Sequence, residues 1–421
     1  MPTVCVVGTG YVGLPLSIML AQSGHRVLGV DVQERVVEAI NSGEFPFEED
    51  AMAKAFHQPA VRANLRASLT PEAADIFVIA VPTPADHRKR VADLSYLGAA
   101  MGSILPHLRR GALIIVESTI PPLTCRGVIS RIIERHGFEV GKDILLAHCP
   151  ERILPGDIMH EIVHNDRIIG GVTPEAACRA REMYASFVQG ELIETDDVTA
   201  ELCKLMENTY RDVNVALANE FAAVCETLGI DVLRAIELAN HHPRVDILKP
   251  GIGTGGHCIP VDPWFIRQVD PDNARLIDAA RRVNGEVPGR IAAKIRRAVA
   301  QISGPAIAVV GVTYKPDTAD CRESPAIEII DLLRADGYDL AVYDPYAVSY
   351  PWSQGGLTEI ARGADCLVIL VEHAIVRAQL AECEDEILAV MRTPTIVRFY
   401  HPAVECPAPR TGEAIASVAV A

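Results

Sequence analysis

Thr3-Val4-Cys5-Val6-Val7-Gly8-Thr9-Gly10-Tyr11-Val12-Gly13 opens the chain, and the reading of this stretch decides the fold. Thr3 to Val7 has strand composition and runs straight into a glycine turn. Leu14 to Ser23 has helical composition, Gly24 stops it, and Arg26 to Val30 is a second strand closed by Asp31. A strand, a Gly-x-Gly-x-x-Gly turn, a helix and a second strand ending in an acid make up the unit that binds dinucleotides. Gly8 makes the tight turn, Gly10 lets backbone approach a pyrophosphate, and Gly13 lets the helix pack on the strand. The helix N-terminus then faces the anion. Asp31 would hold a ribose 2′-hydroxyl, which favours NAD over its 2′-phosphorylated form. The glycine spacing alone is a weak signal and is also met in structural turns, so the flanking strands, helix and acid carry the assignment.

Further strands are expected at Ile76 to Val81, Leu113 to Glu117 and Ile144 to His148, separated by helix-like stretches, as a parallel sheet requires. Ligands of such sheets lie beyond the carboxyl ends of the strands. Three polar turns fall there: Pro82-Thr83-Pro84, Ser118-Thr119-Ile120-Pro121 and Cys149-Pro150-Glu151-Arg152. Thr83, Thr119 and Glu151 are therefore expected to border the cofactor, although each is also an ordinary cap or turn residue.

From Asp196 to Leu238 glycine is rare and Ala, Leu and Glu are common, which predicts one long helix or a helical pair. Lys204, Asn208 and Arg211 are spaced by four and three and share one stripe, while Leu202, Leu205, Met206, Val213 and Leu217 supply apolar surface elsewhere. The polar stripe is either a solvated face or one side of a cleft. A helix this long and apolar also suits contact between two copies of the chain. Asn240-His241-His242-Pro243-Arg244 comes next. Adjacent histidines cannot easily share one ion and no third ligand is apparent, so no metal is expected, and Arg244 reads as an anion contact.

Gly251-Ile252-Gly253-Thr254-Gly255-Gly256-His257-Cys258-Ile259-Pro260-Val261-Asp262-Pro263-Trp264 reads as a tight, fixed loop in which the prolines discourage a helix. Cys258, with Asp262 four positions on, has the setting of a positioned nucleophile; a small buried thiol is the plainer reading. A second α/β unit starts after Ser303-Gly304-Pro305, with strands at Ala306 to Val312, Tyr338 to Tyr343, Leu367 to Val371 and Thr395 to Phe399. Ser324-Pro325 caps a helix that runs through Leu333. This unit lacks the glycine fingerprint. Its first turn carries Lys315 and Arg322 instead, suited to a diphosphate or to ion pairs with Asp317, Asp320 and Glu323. Glu405 to Ala421 is short of large apolar groups and is expected to fray.

The fold class is thus α/β: two Rossmann-like, doubly wound parallel-sheet domains, at 1–195 and 303–421, joined by a central helical domain at 196–302. A chain of 421 residues exceeds what one core supports. Its 49% apolar and 22% charged residues are ordinary globular proportions, and no apolar run is long enough to span a bilayer. A net charge of −16 argues against a nucleic-acid partner. The 11 cysteines include no Cys-x-x-Cys pair, so reduced thiols are expected, and the opening strand leaves no room for a leader. Both point to the cytoplasm.

These residues together resemble the UDP-glucose and GDP-mannose dehydrogenase family, the nucleotide-sugar 6-dehydrogenases. The resemblance rests on Gly8-x-Gly10-x-x-Gly13, Ser118-Thr119-x-Pro121, Pro150-Glu151-Arg152, Lys204-x-x-x-Asn208, Gly255-Gly256-x-Cys258-x-Pro260-x-Asp262 and Arg322-Glu323-Ser324-Pro325. Within the family, Cys149 through Gly156, His164-Asn165-Asp166-Arg167, His242-Pro243-Arg244-Val245 and Asp262-Pro263-Trp264-Phe265 resemble the branch acting on UDP-N-acetyl-D-mannosamine. Related enzymes acting on N-acetylglucosamine differ by few residues, and a UDP-N-acetylglucosamine or UDP-glucose 6-dehydrogenase is the alternative reading.

The resemblance implies a four-electron oxidation of the sugar's C6 alcohol to a carboxylate, with two NAD reduced in turn and a covalent sulfur intermediate on Cys258. It implies that Lys204 and Asn208 stabilise the oxygen at C6, that Asp262 orients water or Lys204, and that Glu151 and Thr119 position water. By the same matching Tyr11, Val12, Asp31, Arg35, Thr83 and Thr119 join Gly8, Gly10 and Gly13 in holding NAD. Arg152, Ile153, Lys204, Asn208, Arg211, His242, Arg244, Gly255, Tyr314, Lys315 and Arg322 hold the UDP-sugar, with His242 and Arg244 reaching from a neighbouring subunit of a homodimer or higher oligomer. His257 stands where other members carry Ser or another residue, for proton transfer or for loop packing. A two-electron hydroxyacid dehydrogenase and a non-catalytic NAD or nucleotide-sugar binder share parts of this pattern; the first would not need Cys258.

Overall fold

The computed structural model describes residues 1–47, 49–86, 89–153, 157–347, 350–353 and 355–399. Leu154-Pro155-Gly156 of the family-like run and the Glu405 to Ala421 stretch lie outside them. The chain packs as two units, one of Met1–Glu207 with Trp264–Asn273 and the other of Asn208–Pro263 with the residues from Ala274 onward.

In the first unit eight strands form one sheet: β1 (Thr3–Val7), β2 (Arg26–Val30), β3 (Leu65–Ser68), β4 (Ile76–Ile79), β5 (Ala112–Val116), β6 (Ile144–His148), β7 (Arg167–Gly171) and β8 (Leu192–Asp196). Their order is β8-β7-β6-β5-β4-β1-β2-β3. β4, β5 and β6 are buried along their whole length, as strands covered by helices on both faces must be. Alternation divides β1 between the two cores: Val4 and Val6 join one apolar cluster, Cys5 and Val7 the other. From β1 the chain winds outward through β2 and β3, then returns to place β4 on the other side of β1. That reversal opens a crevice at the carboxyl ends of β1 and β4.

The sheet departs from the all-parallel plan at a single pairing. β7 runs antiparallel to β6, joining only Ala147 with Gly171 and His148 with Gly170. The chain leaves the end of β6 and re-enters the sheet from that same end. Arg167, three residues before Gly170, therefore projects about 10 Å beyond the last β6 pair, on the side where Glu151 lies.

The helix Asp197–Leu228 begins in the first unit and continues through the second, and Gly229 (φ +67°) separates it from the helix Val232–Asn240. The expected stretch from Asp196 to Leu238 is thus a helical pair. In the second unit β9 (Ala306–Val310), β10 (Asp339–Tyr343), β11 (Cys366–Ile369) and β12 (Ile396–Arg398) pair in parallel in the order β10-β9-β11-β12. This repeats the reversal beside the first strand. Helices Arg275–Val299 and Pro325–Ala335 pack their apolar faces on this sheet through Val287, Ile291, Ile295, Ile329 and Leu333. No helix among the described residues is long and apolar enough to cross a membrane.

Candidate functional site

The dinucleotide turn has the geometry its glycines imply. Gly8 holds φ +93°, and a Cβ there would lie 2.4 Å from the Ala80 carbonyl oxygen. A Cβ on Gly13 would lie 1.8 Å from the Gly8 carbonyl oxygen, so the helix Gly13–Gln22 can approach only without a side chain. Gly10 is different: a Cβ there meets nothing within 4 Å. Its backbone faces open space at the helix N-terminus, where a pyrophosphate would lie. Asp31 is tied into the same turn, accepting from Thr9 N (3.0 Å), Thr9 Oγ1 (3.1 Å) and Gln33 N (3.0 Å). With its orientation fixed it retains lone pairs for a ribose hydroxyl. Tyr11 is exposed and rests on Phe47, with ring centroids 5.0 Å apart, and the exposed Arg35 donates to Gln33.

At the ends of β4 and β5 the Thr83 hydroxyl donates to the Thr119 carbonyl, and the Ser118 hydroxyl accepts from Val81 N and donates to Val81 O. The two expected border residues are thus locked to each other. Past β6, Glu151 is buried and engaged by three donors: its Oε1 accepts from Arg152 N (2.7 Å) and Ile153 N (3.0 Å), its Oε2 from the Arg167 guanidinium (3.0 Å). Arg152 pairs with Glu207 (2.8 Å) and donates to the Asp166 carbonyl. Lys204 is half-buried, one turn before Asn208 on the same helix.

In the second unit the Cys258 loop is clipped to the long helix at three points. Asn219 accepts from Gly251 N (2.9 Å), Asp212 accepts from the Thr254 hydroxyl (3.3 Å), and the Asn208 amide donates to Asp262. Arg211 donates in turn to Asn208. The Cys258 carbonyl accepts from Val261 N and Asp262 N. The helix Asp262–Val269 starts there, with Pro263 in its first turn, where proline is favoured. The expectation that Pro263 discourages a helix is corrected: the loop ends at Val261. Gly255 is required by packing, since a Cβ there would meet the Glu323 carbonyl oxygen at 2.7 Å, Tyr314 Cβ at 2.7 Å and Pro325 Cδ at 2.8 Å. Gly256 holds φ +84° against the Tyr314 ring, and its N donates to the Arg322 carbonyl (3.0 Å). The Tyr314-Lys315 turn and the Arg322-Pro325 turn thus close directly on the cysteine loop.

Lys315 Nζ lies 5.7 Å from the Tyr314 ring centre, and Arg322 grips Asp320 with both arms (Nε to Oδ1 2.9 Å, Nη2 to Oδ2 2.6 Å). Of the two readings of these basic groups, Arg322 therefore forms the ion pair, and a diphosphate would compete with Asp320 for it. His242 and Arg244 are exposed in the turn after the helix Val232–Asn240. No group of His, Cys, Asp and Glu able to hold a metal occurs among the described residues.

Sequence reasoning missed the residues that brace the loop. Asp212 is fully buried and bonds Arg281 (2.6 Å) and Asn284 (2.8 Å) as well as Thr254, while Asn284 also accepts from Asn219. Burial outweighs these donors and raises the Asp212 pKa above the ordinary carboxylate value. The signal was present in the spacing: Asn208, Asp212 and Asn219 fall on one face of a helix.

Comparison with known proteins matches the chain in three parts. Residues 2–188, 198–286 and 308–400 match, in turn, the NAD binding domain, the central domain and the UDP binding domain of the UDP-glucose/GDP-mannose dehydrogenase family. The UDP-N-acetyl-D-mannosamine dehydrogenase of Methanocaldococcus jannaschii is 47% identical over 373 residues, 88% of this chain and 85% of that one. The structure of a UDP-N-acetyl-mannosamine dehydrogenase from Staphylococcus aureus superimposes with a TM-score of 0.86 at 44% identity, covering 94% of both chains. That of a UDP-D-ManNAc dehydrogenase from Pyrococcus horikoshii gives 0.90 at 39% identity, covering 96% of this chain and 97% of that one. The chain belongs to the UDP-glucose/GDP-mannose dehydrogenase family of NAD-dependent nucleotide-sugar oxidoreductases.

Proposed function

We propose that the protein converts UDP-N-acetyl-D-mannosamine to UDP-N-acetyl-D-mannosaminuronate, oxidising C6 from alcohol to carboxylate. What carries the proposal is Cys258, set in a loop that Asn208, Asp212 and Asn219 hold to one helix, in a chain whose close relatives are named for that sugar. NAD supplies the hydride acceptor, one molecule for each two-electron step. The first oxidation gives the aldehyde. The Cys258 thiolate then forms a bond to C6, and Lys204 with Asn208 stabilises the oxygen as it gains negative charge. Loss of the second hydride leaves a thioester. Water adds to that carbon as Glu151 takes its proton, the C–S bond breaks, and the thiolate departs from the acid. Thr119 helps position the water, and Asp262, fixed by Asn208, orients the groups around Cys258. Two NAD and one water are consumed for each sugar.

The same reading gives NAD to Gly8, Gly10, Tyr11, Val12, Gly13, Asp31, Arg35, Thr83 and Thr119. It gives the UDP-sugar to Arg152, Ile153, Arg211, Gly255, Tyr314, Lys315 and Arg322, with Lys204 and Asn208 shared with the chemistry. The parts 1–195, 196–302 and 303–421 serve cofactor, chemistry and UDP. His242 and Arg244 reach a neighbouring copy in a homodimer. An exposed stripe on the long helix, Met206, Tyr210, Leu217, Phe221, Val224 and Leu228, is the surface such a dimer would cover, since all six large side chains face solvent at helical spacing. The protein works in the cytoplasm.

The deciding measurement is NADH formed per sugar consumed, taken with UDP-N-acetylmannosamine, UDP-N-acetylglucosamine and UDP-glucose. Two per sugar with the first preferred is expected. One per sugar would return the protein to simple hydroxyacid-type dehydrogenases, and preference for UDP-glucose would refute the substrate. Cys258→Ser should abolish acid formation and any adduct seen by mass spectrometry.

A further inference from the structure

Behind Glu151 lies a buried group of charges to which the oxidation and hydrolysis assign no part. Arg167 is 4% exposed, and its fork is divided: one amino group donates to Glu151 Oε2 (3.0 Å), the other to Glu117 Oε1 (3.3 Å). Tyr184, fully buried, donates its hydroxyl to that same Glu117 oxygen (2.7 Å), and the guanidinium lies over the Tyr184 ring, 4.8 Å from its centre. Glu117 Oε2 has no hydrogen-bond partner and no access to water. Two carboxylates thus share one cation in a buried pocket, where an excess charge is costly to hold.

We propose that Arg167 and Glu117 are positioning residues for the hydrolytic step: Arg167 aims the Glu151 carboxylate at water, and the charge on Glu117 sets how firmly Arg167 holds it. The inference rests on the reading of Glu151 as the group that activates water. Three features support it. Glu151 is held on both oxygens, so its direction is set by Arg167 and two backbone donors rather than by its own rotamer. The antiparallel β7 exists at this point of the sheet and delivers Arg167 to the end of β6. The free Oε2 of Glu117 is the place where a proton can sit while Oε1 keeps both its donors.

Burial, opposed by Arg167 and reinforced by the negative charge of Glu151, pushes Glu117 up to about 7. Both carboxylates bear on the same guanidinium, so the charge state of Glu117 sets how much of the Arg167 charge is left to hold Glu151. Below about pH 7 Glu117 is neutral, and Glu151 is the one carboxylate charge set against Arg167 although Glu117 Oε1 still accepts from it; above that pH two carboxylate charges share the cation. The other groups facing the cluster hold fixed states across this range. Burial keeps the Tyr184 hydroxyl protonated and pushes the Cys149 thiol up to about 12.

The test tracks the covalent adduct on Cys258 by quenched mass spectrometry after the enzyme is mixed with UDP-N-acetylmannosamine and NAD, with both NADH phases recorded. Arg167→Lys keeps the charge and loses the fork, so adduct decay should slow about 10- to 100-fold while the NADH amplitudes stay those of the parent. Glu117→Gln is isosteric and should abolish the change in decay rate centred near pH 7, with the KM for NAD unchanged. Glu151→Gln is the control and should preserve the adduct longest. If it does not, the reading of Glu151 fails and the inference falls with it. If Glu151→Gln preserves the adduct while Arg167→Lys and Glu117→Gln decay at the parental rate and pH profile, with only a lowered melting temperature, the inference alone is overturned. Should Arg167→Lys fail to fold, the pH profile of Glu117→Gln decides.

Discussion

Replacing Gly255 with alanine adds one methyl group at the tightest point of the cysteine loop. The new Cβ would lie 2.7 Å from the Glu323 carbonyl oxygen and from Tyr314 Cβ, and 2.8 Å from Pro325 Cδ. None of these is the free end of a flexible side chain. Ordinary contact begins at 3.4 Å, so the loop must retreat by the difference, 3.4 − 2.7 = 0.7 Å, carrying Cys258 three residues on. A displacement of ~1 Å in a reacting group costs up to ~100-fold, so about 10- to 30-fold is expected here. Overpacking of this kind also costs about 1–3 kcal/mol, which in a unit of this size lowers Tm by roughly 2–12 °C. The assay is kcat for NADH formation at saturating UDP-sugar, beside a thermal melt and the alkylation rate of Cys258. Parental kcat together with a melt shifted by less than about 1 °C would refute the claim that packing against the Tyr314 and Pro325 turns sets the position of the thiol.

Asp212→Ala should destabilise the protein by about 3–5 kcal/mol in urea unfolding, because it removes a buried carboxylate that accepts from Arg281, Asn284 and Thr254 together; a loss below about 1 kcal/mol counts against the bracing role. Asp31→Ala should weaken NAD binding about 10- to 100-fold, read by fluorescence titration, and leave UDP-sugar affinity alone; equal losses for both ligands would mean that the turn had collapsed. Glu117 has a folded pKa of about 7, above the ordinary 4.5, so its contribution to stability is present below about pH 4.5 and is lost as pH rises through 7. Glu201, also pushed up to about 7 by burial, behaves alike and cancels when parent and Glu117→Gln are compared. The parent's advantage over Glu117→Gln in thermal melts should therefore shrink between about pH 5 and 8, and a growing advantage would contradict the sign.

The opening unit was legible because each of its positions is over-determined: Gly8 by angle, Gly13 by contact, Asp31 by its place at a strand end. The strands that escaped are those whose composition is ambiguous. Leu65-Arg66-Ala67-Ser68 is short and half polar, Arg167-Ile168-Ile169-Gly170-Gly171 ends in glycines, and Leu192-Ile193-Glu194-Thr195-Asp196 is a partly exposed edge. The long helix was visible in composition, but its division at Gly229 depends on a left-handed turn that a single glycine announces only weakly. Pro263 was misjudged because proline breaks helix interiors yet starts first turns, and only the Cys258 carbonyl, accepting from two backbone donors, shows which applies. Lys315 was read from the chemistry of its turn and Tyr314 from the family pattern, but the packing of Tyr314 on Gly255 and Gly256 joins residues some sixty positions apart. No local pattern encodes that.

The reversal of β7 ties fold to chemistry. A doubly wound sheet places ligands beyond the carboxyl ends of its strands, and in a purely parallel sheet every strand that reaches this edge ends there. Such an edge collects turn residues: glycines, threonines, Glu151. A buried guanidinium needs a rigid base, because a side chain that long on a loop would lose its conformational freedom with nothing to offset the loss. An antiparallel strand begins at the edge where its neighbours end, so its first residue can be both part of the sheet and level with the turns. Arg167 is that residue, its backbone in register with β8 at Leu192 while its fork holds Glu117 and Glu151. Reversing one strand thus gives the edge a cation on a rigid support, where the parallel plan offers only backbone dipoles and the side chains of turns.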